Sequence, residues 1–145
     1  MKRFLLALAF FFAAQSAQAV QAETIPVTIG QRHYNVEIAA DTLSRERGLS
    51  KRSAIGTDGM LFAFPDVARR KFWMKDTLVP LDILFISPDR KIVFIGHGEP
   101  KSLTPIGPDA PGGNVIELDG GRAEADAIHV GDTVTYEIPA SILVR

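Results

Sequence analysis

The chain has 145 residues, with 16 Lys and Arg against 17 Asp and Glu, a net charge of −1 and no cysteine. This length suits one folded domain with a single core. The balanced charge argues against nucleic acid as a partner, and the absence of cysteine excludes disulfides, thiolate catalysis and cysteine metal ligands.

The first 19 residues are typical of a secretory signal peptide. Lys2 and Arg3 precede an apolar run over residues 4–14, and Ala17 and Ala19 form a small-x-small cleavage site. Cleavage is predicted after residue 19 or after residue 22. A retained membrane anchor is the alternative, although the run is shorter than the roughly 18 apolar residues that an anchor needs. We therefore expect a periplasmic or secreted protein, without a membrane span after cleavage, and a single domain over residues 24–139.

The remaining chain is predicted to form seven or eight short strands and two short helices. Apolar and β-branched runs bounded by glycine, proline or polar residues predict the strands. They cover residues 24–29, 33–38, 60–64, 72–75, 81–86, 92–95, 115–118 and 133–138. One helix is predicted over residues 42–47, between Asp41 as N-cap and Gly48 as the stop, and the other over residues 120–128.

Residues 96–113 interrupt this pattern, because their prolines and glycines are incompatible with a regular element. Long irregular segments in compact domains are often functional or act as mobile flaps. Short turns between the other strands favour antiparallel pairing. The sequence therefore predicts a mainly β (α+β) fold, a single compact antiparallel β-sandwich or partly open β-barrel with the two helices covering edges or open ends.

Several short motifs occur in an order that resembles the DUF192 family. They are Arg47-Gly48-Leu49, Asp58-Gly59-Met60-Leu61-Phe62, Phe72-Trp73-Met74-Lys75, Pro80-Leu81-Asp82-Ile83-Leu84-Phe85-Ile86, Val115-Ile116-Glu117-Leu118 and Val130-Gly131-Asp132-Thr133-Val134. The resemblance covers nearly all of the chain beyond the signal segment. It implies a small, often exported protein of unknown function, with a compact β-rich domain and an unassigned cleft. The chain departs from the family it resembles at two positions, because the family commonly has Asn where this chain has Asp76 and Met where it has Ser50. An amide at that position in the family argues against a proton-transfer role for Asp76.

The sharpest polar cluster lies between the two apolar runs of residues 72–86. Lys75, Asp76 and Thr77 can line the mouth of a pocket and hold an anionic or hydroxylated ligand. The alternative is a simple turn, in which Asp76 bonds to nearby amides. Both interpretations remain open from the sequence.

Asp82 stands at the start of a buried run, where a carboxylate needs a cation or several amide donors. Lys75, Arg45 and Arg47 are the cations available. Asp82 therefore either borders a ligand site or forms a structural ion pair between helix and sheet.

Three further residues complete the candidate ligand-binding set. Arg47 can bind a carboxylate or phosphate bidentately or cap the end of its helix. Trp73 can stack on a sugar or peptide, or pack in the core. His97 lies between two glycines and suits a ligand or acid–base role, with a solvated loop histidine as the alternative. The histidines lack metal-type spacing, so we predict no metal site and no cofactor.

Our leading hypothesis is an exported, non-enzymatic domain that binds a small molecule, sugar or peptide. Its cleft would be bordered by residues 75–77, Asp82 and the segment 96–113. One alternative is a hydrolase or lyase that uses Asp82 with Asp76 or His97. The other is an envelope assembly protein that binds by strand addition.

Overall fold

The structure, a computed structural model, describes residues 23–143, and the predicted signal segment lies outside the described residues. Within this part of the chain, seven strands form one sheet in the order β5-β4-β6-β3-β2-β1-β7. They are β1 (Thr24–Ile29), β2 (Arg32–Ala39), β3 (Gly59–Phe62), β4 (Leu81–Ile86), β5 (Ile92–Gly98), β6 (Val115–Asp119) and β7 (Val134–Tyr136). The three short helices of this region are α1 (Thr42–Arg47), α2 (Arg122–Ala125) and α3 (Ala140–Leu143).

The sheet is curled, so that its two edge strands, β5 and β7, approach each other at one end. Lys91, just before β5, forms an antiparallel bridge with Thr133, just before β7. The amide of Val134 donates to the carbonyl of Arg90 at 2.8 Å. The result is a curled half-barrel, which confirms the predicted mainly β fold in its partly open form.

One strand pair departs from the antiparallel prediction. β2 and β3 run parallel, with Ile38 opposite Leu61, whereas the other five neighbouring pairs of the described sheet are antiparallel. Parallel neighbours need a long crossover, and residues 40–58, which include α1, provide it. Leu49 and Ile55 from this crossover pack against the sheet.

Alternate residues of each strand face opposite sides of the sheet. The side on which the edge strands converge, here called the concave face, carries a core cluster that includes Val36, Leu61, Leu84, Ile92, Ile116 and Val134. The opposite side, the convex face, carries a second cluster that includes Met60, Phe62, Ile83, Phe85 and Val115. Loops cover the convex face, and these loops form the pocket described below.

Residues 72–75 do not form the predicted strand. Phe72 makes an isolated bridge with Ile106, and the chain then turns, with the amide of Thr77 donating to the carbonyl of Met74 at 3.0 Å. Asp76 adopts a φ of 58°, a left-handed conformation that ends an extended run.

The predicted irregular segment begins too early. Residues 96–98 belong to β5, so His97 is a strand residue opposite Asp82 and not a loop histidine. Glycine is required beside it, because a Cβ at position 98 would lie 2.3 Å from the sulfur of Met74.

Two helix predictions also need correction. The second predicted helix shortens to α2, since Gly121 and Ala127 have φ angles of 86° and 54°, and α3 was not predicted. Among the described residues, no helix has the length and apolar character needed to cross a bilayer.

Candidate functional site

A pocket of about 590 Å³ opens on the convex face, between the end of α1 and residues 71–77. Its volume is within the usual range for small-molecule sites. Phe62 and Phe72 contribute apolar surface, and their rings meet edge to face with centroids 5.1 Å apart. Such pairs hold aromatic rings in a fixed orientation, so this part of the lining is well defined.

Five of the seven predicted ligand-binding residues line this pocket. They are Arg47, Trp73, Lys75, Asp76 and Thr77. Trp73 is 57% exposed, and the ammonium of Lys75 lies 5.5 Å from the centroid of its indole. This distance is within the range of cation–π attraction, so the rim combines an aromatic plane with a positive charge.

Backbone hydrogen bonds fix the turn that carries Lys75, Asp76 and Thr77. The amide of Lys51 donates to the carbonyl of Asp76 at 2.8 Å, and the amide of Lys101 donates to that of Thr77 at 3.0 Å. The predicted turn is therefore present, and the same turn directs these residues to the pocket. Asn and Asp adopt the left-handed conformation more readily than most residues. The backbone at position 76 therefore suits both the Asp of this chain and the Asn that is common in the family it resembles.

The opposite side of the pocket is formed by the end of α1. Asp41 caps the start of this helix, with its carboxylate accepting from the amide of Ser44 at 2.9 Å. The helix ends at Gly48, whose φ of 47° and ψ of −134° suit glycine. A Cβ at Gly48 would lie 3.1 Å from the ring of Phe62, so glycine also lets the chain pass close to the pocket lining.

The cations around the pocket differ in their freedom to meet a ligand. The guanidinium of Arg45 donates to the carbonyl of Ala63 at 3.0 Å. The ammonium of Lys71 is held by Asp109 at 2.9 Å. Arg47 is exposed, and within residues 23–143 its side chain makes no hydrogen bond or ion pair. Arg47 and Lys75 are therefore the cations best placed to bind an anion.

Glu117 lies deepest among the charged residues of the pocket and was not among the predicted site residues. It is in β6, an interior strand between β4 and β3, and is 5% exposed. Burial raises the pKa of its carboxyl from 4.5 to about 8. The signal for it in the sequence is an acidic residue inside the apolar run Val115-Ile116-Glu117-Leu118, which is also one of the family motifs.

Asp82 and His97 lie elsewhere. Asp82 is 1% exposed, and its carboxylate accepts from the amide of Ala123, in the first turn of α2, and contacts Nδ1 of His97, both at 2.7 Å. Its strand neighbour Ile83 packs in the convex cluster, so Asp82 points to the concave face.

This placement corrects three expectations about Asp82. It does not border the pocket, its partners are not Lys75, Arg45 or Arg47, and it does not share a site with Asp76. The physical reason is the two-residue alternation of a strand, which sends Asp82 and the pocket to opposite faces. Within residues 23–143, no three His, Asp or Glu residues group as metal ligands.

Two solved structures share this fold. A protein from Sinorhizobium meliloti 1021, provisionally described as a transcription regulator, has 32% identity and a TM-score of 0.74, over 81% of this chain and 97% of its own. A protein of unknown function from Novosphingobium aromaticivorans DSM 12444 has 32% identity and a TM-score of 0.72, over 89% of this chain and 99% of its own. No curated protein matches the chain.

The DUF192 family, described as uncharacterized ACR, matches residues 24–136. That span contains every strand of the described sheet. It also contains the pocket on the convex face. The match confirms the resemblance drawn from the short motifs, and the chain belongs to the DUF192 family.

Proposed function

We propose that the protein is a small, non-enzymatic ligand-binding domain of the cell envelope, and that the pocket on the convex face is its binding site. The observation that carries this proposal is an open pocket of about 590 Å³ in which aromatic surface and exposed cations lie together. The periplasmic or secreted location rests on the sequence of residues 1–19 alone.

The lining favours a small organic anion with an apolar body. Arg47 and Lys75 offer positive charge at the rim, and Arg47 can bind a carboxylate or phosphate through two hydrogen bonds. Phe62 and Phe72 offer apolar surface below the rim. A ligand with both features would satisfy the two parts of the pocket together.

The hydrolase or lyase alternative has lost one of its two residue pairs. Asp76 lines the pocket and Asp82 points to the other face, so the two carboxylates cannot act on one atom. Asp82 and His97 do meet, but Asp82 is also bonded to the amide of Ala123, and neither member of the pair lines the pocket. A structural role between β4, β5 and α2 accounts for these contacts.

Strand addition would use the edge strands β5 and β7. The chain beside these edges is already engaged, because the amide of Ile92 donates to the carbonyl of Asp132 at 2.9 Å and Lys91 bridges Thr133. This contact shortens the free edge that a partner strand needs.

The Sinorhizobium protein is described as a transcription regulator. We do not extend that role to this chain, because its balanced charge gives no support for DNA binding.

The proposal is tested by isothermal titration calorimetry and thermal shift. The probes are benzoate and phenyl phosphate, with benzyl alcohol as the uncharged analogue and maltose and trialanine as the sugar and peptide arms. We expect the anions to bind and to raise the melting temperature, and benzyl alcohol to bind more weakly. If no probe raises the melting temperature, the proposal fails.

Variants locate the site. We expect Arg47→Ala and Lys75→Ala each to weaken benzoate binding by about five- to tenfold, the usual effect of losing one charge-assisted contact. Arg32→Ala is the matched control, because it removes the same charge from an exposed position outside the pocket. Equal weakening by Arg32→Ala would show that only net charge matters.

A further inference from the structure

Glu117 lies under the open pocket without a counterion. Its cross-strand neighbours are Met60 in β3 and Ile83 in β4, both apolar and buried. The side chain projects from the convex face into the pocket and is 5% exposed. A carboxyl in such surroundings requires an explanation, because burial of an unpaired charge is costly.

The carboxyl of Glu117 has no hydrogen-bond partner among the described residues, and burial is the single cause that raises its pKa to about 8. In the same part of the chain, every fully enclosed side-chain nitrogen or oxygen has a partner. The Glu117 oxygens therefore border the open volume of the pocket and are not sealed in the core. A ligand in the pocket can reach them.

Charged groups surround the pocket without pairing with Glu117. Those that line it from α1 and from residues 71–77 are Arg45, Glu46, Arg47, Lys71, Lys75 and Asp76. From β2, the nearest acidic side chain is Glu37, which is already paired with Arg52 at 2.6 Å. Burial without a counterion therefore favours the protonated form of Glu117, which offers one O–H donor.

We propose that Glu117 acts as an uncharged hydrogen-bond donor at the bottom of the pocket and selects ligands that carry an oxygen acceptor at their buried end. This inference rests on the proposed ligand-binding function and deepens it. The ligand class is an organic anion whose charged group meets Arg47 and Lys75 at the rim, with an apolar body and an uncharged carbonyl, ester or ether oxygen at the far end. A buried carboxylic acid kept neutral in this way is a known means of donating to an oxygen.

Two probes of nearly equal shape isolate this contact. 4-Acetylbenzoate carries a carbonyl opposite its carboxylate, and 4-isopropylbenzoate replaces that carbonyl with a methyl-bearing carbon. At pH 6.5 we expect the wild type to bind 4-acetylbenzoate about five- to tenfold more tightly, the value of one hydrogen bond. At pH 9.0 the preference should disappear, because Glu117 has ionised. Effects of the rim cations cancel in the ratio of the two affinities.

Glu117→Gln is the matched control, because its amide also donates but does not ionise. We expect this variant to keep a preference for 4-acetylbenzoate at both pH values, whereas Glu117→Leu should show none. The carbon-13 carboxyl signal of Glu117, assigned by its absence from Glu117→Gln, should titrate near pH 8 without any ligand.

The possible failures are distinguishable. Equal binding of the two probes by the wild type at pH 6.5, or a Glu117 carboxyl that titrates near 4.5, would overturn the role of Glu117 and leave the proposed binding function standing. Failure of both probes and of benzoate to bind would overturn the proposed function, and this inference with it.

Discussion

Glu37 and Glu117 lie on the same face of the sheet, one on each side of Met60, which is the cross-strand partner of both. Both are buried, with 6% and 5% of their surfaces exposed. Only Glu37 has a counterion: Arg52 donates to its two carboxylate oxygens at 2.6 and 2.9 Å. Their strands, β2 and β6, have β3 between them and are therefore about 10 Å apart. The side chain of Arg52 reaches Glu37 and not Glu117, so only one of the two acids is paired.

The paired acid should be sensitive to loss of its partner. We expect Arg52→Ala to lower the free energy of unfolding by about 2–4 kcal/mol, because it leaves the Glu37 carboxylate buried and unpaired. Urea denaturation measures this change. Arg32→Ala, at an exposed position of β2, is the control and should cost less than about 0.5 kcal/mol. A small effect of Arg52→Ala would mean that Glu37 is solvated by water instead.

The unpaired acid should make stability depend on pH. Burial raises the pKa of Glu117 to about 8 in the folded protein, while the unfolded chain titrates near 4.5. Between these values the folded state holds a proton that the unfolded state has released, so stability falls as pH rises. Below the unfolded pKa this loss is absent, and above pH 8 it is complete.

We expect the wild type to lose several kcal/mol, on the order of 4, between pH 4.5 and pH 8.5 relative to Glu117→Gln. The comparison matters because other groups also titrate in this range and contribute equally to both proteins. Urea denaturation across the pH series measures the difference. Parallel curves for the two proteins would contradict the buried, unpaired state of Glu117.

Asp82 should be important for stability and unimportant for binding. Asp82→Ala leaves the amide of Ala123 without its acceptor and removes the contact with His97. We expect a loss of about 2–3 kcal/mol in the free energy of unfolding, with benzoate affinity unchanged within twofold. His97→Ala should cost less, because the imidazole is mostly exposed. If folded Asp82→Ala loses benzoate binding, the opposite-face placement does not describe the binding site.

Gly48 should be needed both for backbone conformation and for space. In Gly48→Ala the backbone keeps a φ of 47°, which is unfavourable for alanine, and the new Cβ lies 3.1 Å from the ring of Phe62. We expect a loss of about 1–3 kcal/mol and weaker benzoate binding. Gly56→Ala is the control, since Gly56 has a φ of 88° but no atom within 4 Å of the added Cβ. This control should lose stability without losing affinity.

Much of the local structure could be predicted from sequence because its causes are local. Apolar and β-branched runs with polar, proline or glycine residues at their ends predicted β1 and β4 with their observed bounds, and Asp41 and Gly48 predicted both ends of α1. The turn at Lys75–Asp76–Thr77 was also recognised as one of two interpretations. The prediction of antiparallel pairing was wrong for β2 and β3. Their direction depends on the path of the crossover, residues 40–58, which no local pattern specifies.

The amino-acid sequence by itself determined the strand-rich class, the family, the capped helix α1 and the polar cluster beside Trp73, because these follow from periodicity, capping chemistry and motif order. The tertiary structure alone decided which of the polar residues meet. It brought Arg47 to Trp73 and Lys75, turned Asp82 to the other face, and placed Glu117 beneath the pocket. The physical reason is that curvature and crossover of the sheet set distances between residues far apart in the chain, and no local pattern encodes those distances.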